Sequence, residues 1–404
     1  MVFTFQRHLK IALFNLLLVS AIGVILRYKI AFSLPFIDQK HLLHGHSHFA
    51  FSGWITHALM VLLLAYLGSQ KGESVYKKYR WILNANLVTA YGMLISFPIQ
   101  GYGLYSIIFS TLSIFVSYAF AIVYWKDLNS LQEKKVGHWW MKASLLFNAI
   151  SSAGAFGLAY MMATKNVHQN WYLAAVYFFL HFQYNGWFLF ACIGLATEKY
   201  LPGTPTYILK KIFWLFAVAC VPAYFLSALW LPIPLWVYVM VVIAAFSQLA
   251  GWIMILQQVK IQLPFIKVAA NTLSRWILLL STIALTIKLL LQLGSTIPSL
   301  SNIAFGFRPI VIGYLHLILL GVITLFLLGF MLAEKSIMPN PVTSWGIKVF
   351  TAGVIINELF LMTQGITAMN YQPLPFINEA LLFAACIIFT GIILLNISQQ
   401  KNTK

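Results

Sequence analysis

Very little of this sequence is charged. Asp, Glu, Lys and Arg make up 8% of 404 residues, and Asp plus Glu number only 8. A soluble domain carries about 25% charged residues, so this chain could not cover a water-facing surface. Cysteine is equally sparse: Cys192, Cys220 and Cys386 each stand alone inside an apolar stretch. That leaves no disulfide framework, no CxxC metal site and no CxxCH haem-attachment motif. No low-complexity linker and no soluble domain interrupts the chain. What fills it is hydrophobic, at 61% of residues and a mean hydropathy of +0.85. The sequence is that of an integral membrane protein in contact with lipid.

The formal charge of +18 is not a nucleic-acid signal, because the basic residues sit in short loops where they set topology. With about 20 residues per span, twelve apolar candidates follow: 9–26, 43–67, 81–100, 103–125, 140–162, 171–196, 209–230, 235–257, 273–294, 309–333, 345–366 and 378–397. The first follows Arg7 and Lys10 but ends in LRYK rather than a small-residue cleavage site, which makes it a retained span. The N-terminus, the even-numbered loops and the C-terminus hold 20 Lys and Arg; the odd-numbered loops hold 5, and Lys288 falls inside span 9. This asymmetry predicts both termini in the cytoplasm of a bacterial-type inner membrane.

Five of the ten histidines crowd into residues 41–59, HLLHGHSHFAFSGWITHAL. An imidazole in hydrocarbon is costly unless paired or ligated. The pattern of a histidine followed five residues later by glycine occurs at His48-FAFS-Gly53, His181-FQYN-Gly186 and His316-LILL-Gly321, with the histidines 133 and 135 residues apart. Phe14-Asn15 and Phe147-Asn148 repeat at the same shift of 133. A fixed period of that length dictates architecture. The expected fold is all-α, about twelve transmembrane helices in three pseudo-repeated four-helix units, about 1–137, 138–270 and 271–404, within a single transmembrane domain.

Spans 2, 6 and 10 enter from one side, placing the three histidines at a common depth of roughly 10 to 17 Å at ~1.5 Å per residue. In span 2, His41, His44 and His48 share one helical face, while His46 and His57 share the opposite one. His57 reads as a partner in an interhelical hydrogen bond. His8, His138 and His168 fall in loops or at ends and are expected to be solvated. Lys288 and Glu358 are the formal charges placed mid-span; they would pair with each other, or Glu358 would belong to a proton path.

Twelve spans, threefold organisation and histidines on spans 2, 6 and 10 resemble subunit I of the haem–copper oxidase superfamily, which includes terminal oxidases and nitric oxide reductases. The resemblance implies a low-spin haem b held by His48 and His316, with His44 as the alternative on span 2 and His46 in reserve. It implies copper, or a second haem, at His181. Arg308, two turns before His316, would meet haem propionates, and Tyr314 would be an axial group. Span 7 lacks the family's paired copper histidines, and span 10 reads Tyr314-Leu-His316 where the family has His-x-His. The implied function is electron transfer in a respiratory process, with respiratory partner subunits or an electron donor and a degenerate copper site. His46-Ser-His48-FAFS-Gly53 is also similar to the His-x-His-x4-Gly pattern of bacterial haem- and copper-containing nitric-oxide-response membrane proteins. A cofactor-free transporter is the third class; it predicts broken helices around a polar midplane site.

Overall fold

The computed structural model describes residues 3–72 and 74–400. Lys401 and Lys404, which contribute the basic C-terminus of the topology count, lie outside the described residues. The elements are α1 (Phe3–Ala31), α2 (Gln39–Phe49), π1 (Ala50–Thr56), α3 (His57–Lys71), α4 (Val75–Gln100), α5 (Leu104–Asn129), α6 (Val136–Ala163), α7 (Gln169–His181), π2 (Phe182–Phe188), α8 (Leu189–Tyr200) and α9 (Thr206–Cys220). A 3-10 turn (Pro222–Ala228) precedes α10 (Leu235–Ile261), α11 (Leu263–Ala269), α12 (Thr272–Gly294), α13 (Pro298–Gly306), α14 (Arg308–His316), π3 (Leu317–Thr324), α15 (Leu325–Ala333), α16 (Pro341–Met369) and α17 (Ile377–Gln400). No strand occurs among the described residues.

Among the described residues ten helices are long and apolar enough to cross a membrane, or eleven if Thr206–Cys220 and Pro222–Ala228, bent by 44°, form one span. The chain is therefore a multi-pass, all-helical membrane protein. The expected span 171–196 falls on α7, π2 and α8, where Gln183, Tyr184 and Asn185 dilute the apolar run. Pro222 explains the bend, since proline removes an amide donor from the helical ladder.

Helix starts follow side-chain chemistry. Asp38 accepts from the His41 amide, Asn271 from the Ser274 amide and Asn340 from the Thr343 amide, each at 2.8 Å. These caps fix the entries of α2, α12 and α16 by satisfying amides that have no partner within the helix.

The chain forms two compact units, residues 1–129 with 324–404 and residues 130–323. In the first, α17 packs along both α1 and α16. Asn396 donates to the Leu13 carbonyl at 3.1 Å. A side chain at Gly346, Gly353 or Gly391 would collide with the backbone across the α16–α17 contact, so small residues permit this close approach. At one end of this unit Asp127 accepts from Lys71 at 3.2 Å, Lys78 at 2.8 Å and the Tyr79 hydroxyl at 2.6 Å. That brings the loops after spans 2 and 4 to the same end.

In the second unit, the Glu198 carboxylate accepts from the Gly137 amide at 3.1 Å and lies 4.0 Å from the Lys135 ammonium. The loops after spans 4 and 6 thus also share an end. Large aromatics fill this unit's interior, with Trp140, Trp187, Phe188 and Phe216 all fully buried.

Candidate functional site

Each repeated histidine stands immediately before a π segment. π1 begins two residues after His48, π2 one residue after His181 and π3 one residue after His316. Gly53, Gly186 and Gly321 lie inside these segments. π turns are rare and occur frequently at functional positions. The sequence repeat is thus also a repeat of backbone geometry. Among the ten described helices that could each cross a membrane, two of these spans are the most enclosed, with 78% of the apolar window in Gln39–Lys71 and 67% of that in Arg308–Ala333 buried, against at most 44% for the other eight. In the His181 span every residue from His181 to Leu195 is buried.

A polar residue from the first helix of each repeat reaches its π segment. Asn15 donates its amide to the Gly53 carbonyl at 2.6 Å, and Ser281 donates its hydroxyl to the Val322 carbonyl at 2.7 Å. In the middle repeat, Gln183 within π2 donates to Asn148 at 2.9 Å and to Ser151 at 2.8 Å. Asn86 of α4 supplies a second donor to π1, at 3.1 Å from the Ser52 carbonyl. A buried carbonyl left without a donor is expensive, so Asn15, Asn86 and Ser281 stabilise the first and third π turns. The glycines are covered by protein: a methyl group at Gly186 would lie 2.5 Å from Phe147 Cβ, and one at Gly53 would lie 2.6 Å from the Phe49 ring.

The histidines of α2 separate by face as their spacing predicts. His48 stacks on Phe97 with ring centroids 4.4 Å apart, and its Nε2 is 3.3 Å from the Tyr102 hydroxyl. His44 lies edge-on to the same Tyr102 at 4.7 Å, and its Nε2 is buried without a hydrogen-bond partner. His46 points the other way, toward α1, where its ring bonds the Val19 carbonyl and packs near Gly23. Its Nδ1 is buried and also lacks a partner. A ring held by one nitrogen with the other left open is the arrangement of a metal-ligating imidazole.

On α14, the His316 Nδ1 lies 3.0 Å from the Ile312 carbonyl. That bond places the proton on Nδ1 and leaves the lone pair on Nε2. Tyr314 is an electrostatic neighbour of Tyr184, and Arg308 is exposed at the start of α14.

His181 is differently engaged. Its Nε2 donates to the Cys220 carbonyl at 2.8 Å, and its Nδ1 accepts from Asn185 at 3.1 Å. Cys220 ends α9 just before the bend at Pro222, so His181 caps a carbonyl at a helix break. Neither of its ring nitrogens is open. Among the described residues no group of three or more His, Cys, Asp or Glu side chains is arranged to hold a metal ion.

Several expectations change. His8 and His138 are buried, at 4% and 3% exposure, rather than solvated; His168 is exposed. His8 is covered because α1 lays it against His57 of α3, 3.3 Å away between facing nitrogens. His138 packs at the N-terminal turn of α6, where its Nδ1 accepts from the Lys135 amide at 3.4 Å. Lys288 and Glu358 each find partners within their own unit. The Lys288 ammonium, 2% exposed, donates to Gln292 at 2.6 Å, and Gln292 donates to Gln248 at 2.6 Å. Glu358 accepts from Asn357 at 3.1 Å and lies in the field of Arg27.

No protein-family model matches this sequence, and no curated protein matches it.

Proposed function

We propose that the chain is a haem-binding electron-transfer protein of a bacterial inner membrane, with both termini in the cytoplasm and a twelve-span fold like that of haem–copper oxidase subunit I. The observation that carries this reading is the histidine placed ahead of a π turn three times over, on spans that are largely buried. His316 would be one iron ligand, since its Nδ1 is already committed to a carbonyl. The other would come from the His44–His48 face of α2. His44 is the stronger donor there, because its buried Nε2 lacks a partner while the His48 Nε2 faces Tyr102.

Iron held by two neutral imidazoles supplies one-electron chemistry and leaves no open face for a gas. The protein's part is to fix both rings, exclude water from them and bury the porphyrin among aromatics such as Phe97. With both nitrogens of His181 in hydrogen bonds, the reading gives that residue a structural role and leaves the copper centre degenerate. An electron donor and partner respiratory subunits belong to the same proposal. The test is haem quantification of protein purified from haem-replete cells, as the pyridine haemochrome. About one b-type haem per chain is expected; a colourless preparation rules the reading out, and a carbon-monoxide-sensitive spectrum moves the function to gas binding.

One observation favours a second reading, a transporter. The 44° break between Thr206–Cys220 and Pro222–Ala228 has the electrostatic field of the buried Lys288 at Cys220 and His181. A broken helix beside a buried ionisable group is a transporter device. Haem-free protein that binds a small solute, with binding lost in Lys288→Met, would select this reading.

A further inference from the structure

One buried chain of polar groups in the first unit plays no part in holding haem. The Tyr76 hydroxyl is 2.8 Å from His8 Nε2, His8 Nδ1 is 3.3 Å from His57 Nε2, and His57 Nδ1 is 3.4 Å from the Asn86 amide nitrogen. The four residues come from three helices: His8 from α1, His57 from α3, and Tyr76 and Asn86 from α4. His57 is fully buried and His8 is 4% exposed. Tyr76 is half-buried, in the first turn of α4 beside the exposed Gly72 and Ser74. The chain therefore has a mouth at the surface and an end inside the protein, against π1. Arg7 and Arg80 flank the mouth electrostatically.

Asn86 donates to the Ser52 carbonyl at 3.1 Å, which sets its amide group toward His57. His57 Nδ1 must then accept, so its proton is on Nε2 and is donated to His8 Nδ1. His8 in turn carries its proton on Nε2 and donates to the Tyr76 oxygen. Every link has one donor and one acceptor, and every member is neutral. A histidine with one nitrogen accepting and the other donating is the side chain suited to passing a proton through itself.

We propose that Tyr76, His8 and His57 form a proton-transfer path between water at the first turn of α4 and the buried π1 region, with Asn86 fixing its polarity. In one passage, a proton arriving from an interior water on His57 Nδ1 displaces the Nε2 proton to His8 Nδ1. The His8 Nε2 proton passes to the Tyr76 oxygen, and the Tyr76 hydroxyl proton leaves to surface water. One proton enters and one leaves, and each ring ends neutral with its tautomer exchanged. Passage in the opposite sense, from surface water inward, restores the starting tautomers. Asn86 sets the resting polarity through its bond to the Ser52 carbonyl; in the exchanged state it releases that carbonyl and turns its side-chain oxygen to accept the His57 Nδ1 proton, which makes it the positioning residue. The longer links of 3.3 and 3.4 Å close to the usual 2.7–3.2 Å range by small ring rotations.

The test follows the His57 ring N–H by 15N-histidine NMR after transfer of the purified full-length protein into D2O, with His57→Gln assigning the signal. The expected result is exchange at least tenfold faster in the natural protein than in Tyr76→Phe or His8→Gln. Phenylalanine keeps the ring and lacks the proton carrier; glutamine keeps hydrogen bonding and does not relay. Backbone amides of π1 should exchange alike in all three, which separates a broken path from a loosened fold. Equal or faster His57 exchange in both variants, with π1 amides unchanged, overturns the proposal. If π1 amides do change, His8→Asn and Tyr76→Trp repeat the comparison under the same criterion. Haem content has no bearing on this readout.

Discussion

Asn15 of α1 donates its side-chain amide to the carbonyl of Gly53, inside the first π turn, at 2.6 Å. Ser281 does the same for Val322 in the third repeat at 2.7 Å. Asn15, Asn148 and Ser281 are spaced at 133 residues; the outer two donate to a π-turn carbonyl, whereas Asn148 accepts from Gln183 of the middle π turn. In the outer two repeats, therefore, one helix carries a histidine and a widened turn, and its neighbour carries the group that stabilises the widening.

Removing that group should destabilise the protein. Asn15→Leu and Ser281→Ala each leave a buried carbonyl without its donor, at a cost of about 1–3 kcal/mol. Thermal unfolding in detergent should show both variants melting below the natural protein. Unchanged melting in both would mean that the π turns stand without side-chain support.

The His181 contact predicts a contrast between two substitutions. His181→Phe fills the space but leaves the Cys220 carbonyl at the α9 break uncapped, again costing about 1–3 kcal/mol. His181→Gln keeps a donor and should recover much of that loss. If Gln is as destabilising as Phe, the hydrogen bond at 2.8 Å is not what His181 contributes.

Asp38 gives a pH dependence of known sign. Its carboxylate caps α2, and the His41 amide bond is the first cause holding its pKa below the ordinary 3.8. The cap's contribution is complete above the unfolded-state value and is lost as pH falls through the depressed folded value. A carboxyl-carbon NMR titration should place Asp38 below 3.8, and Asp38→Asn should keep the cap while abolishing the titration. A midpoint at or above that value contradicts the capping role.

Much of this arrangement is legible in the chain, for physical reasons that differ by residue. His48, His181 and His316 stand out because polar rings are rare in apolar spans. The facing of His44 and His48 against His46 follows from helical periodicity alone. Ser281 is invisible as the counterpart of Asn15, because a serine in a span is unremarkable without the carbonyl it meets. His8 looks like a terminal, solvated residue until α1 lies against His57. The role of His181 depends on a carbonyl exposed by a break at Pro222, and no spacing rule reaches across from one helix to the other. The count of twelve spans rests on hydropathy, which Gln183, Tyr184 and Asn185 dilute in the sixth and Pro222 interrupts in the seventh.

The haem ligands proposed for the chain are His316 and the His44–His48 face of α2. The most direct test is the reduced-minus-oxidised absorption spectrum of four purified proteins: natural, His316→Ala, His44→Ala and His48→Ala. A b-type spectrum is expected in the natural protein, lost or converted to high-spin in His316→Ala and in His44→Ala, with His48→Ala less affected. A featureless natural spectrum, or one that survives His316→Ala unchanged, contradicts that assignment.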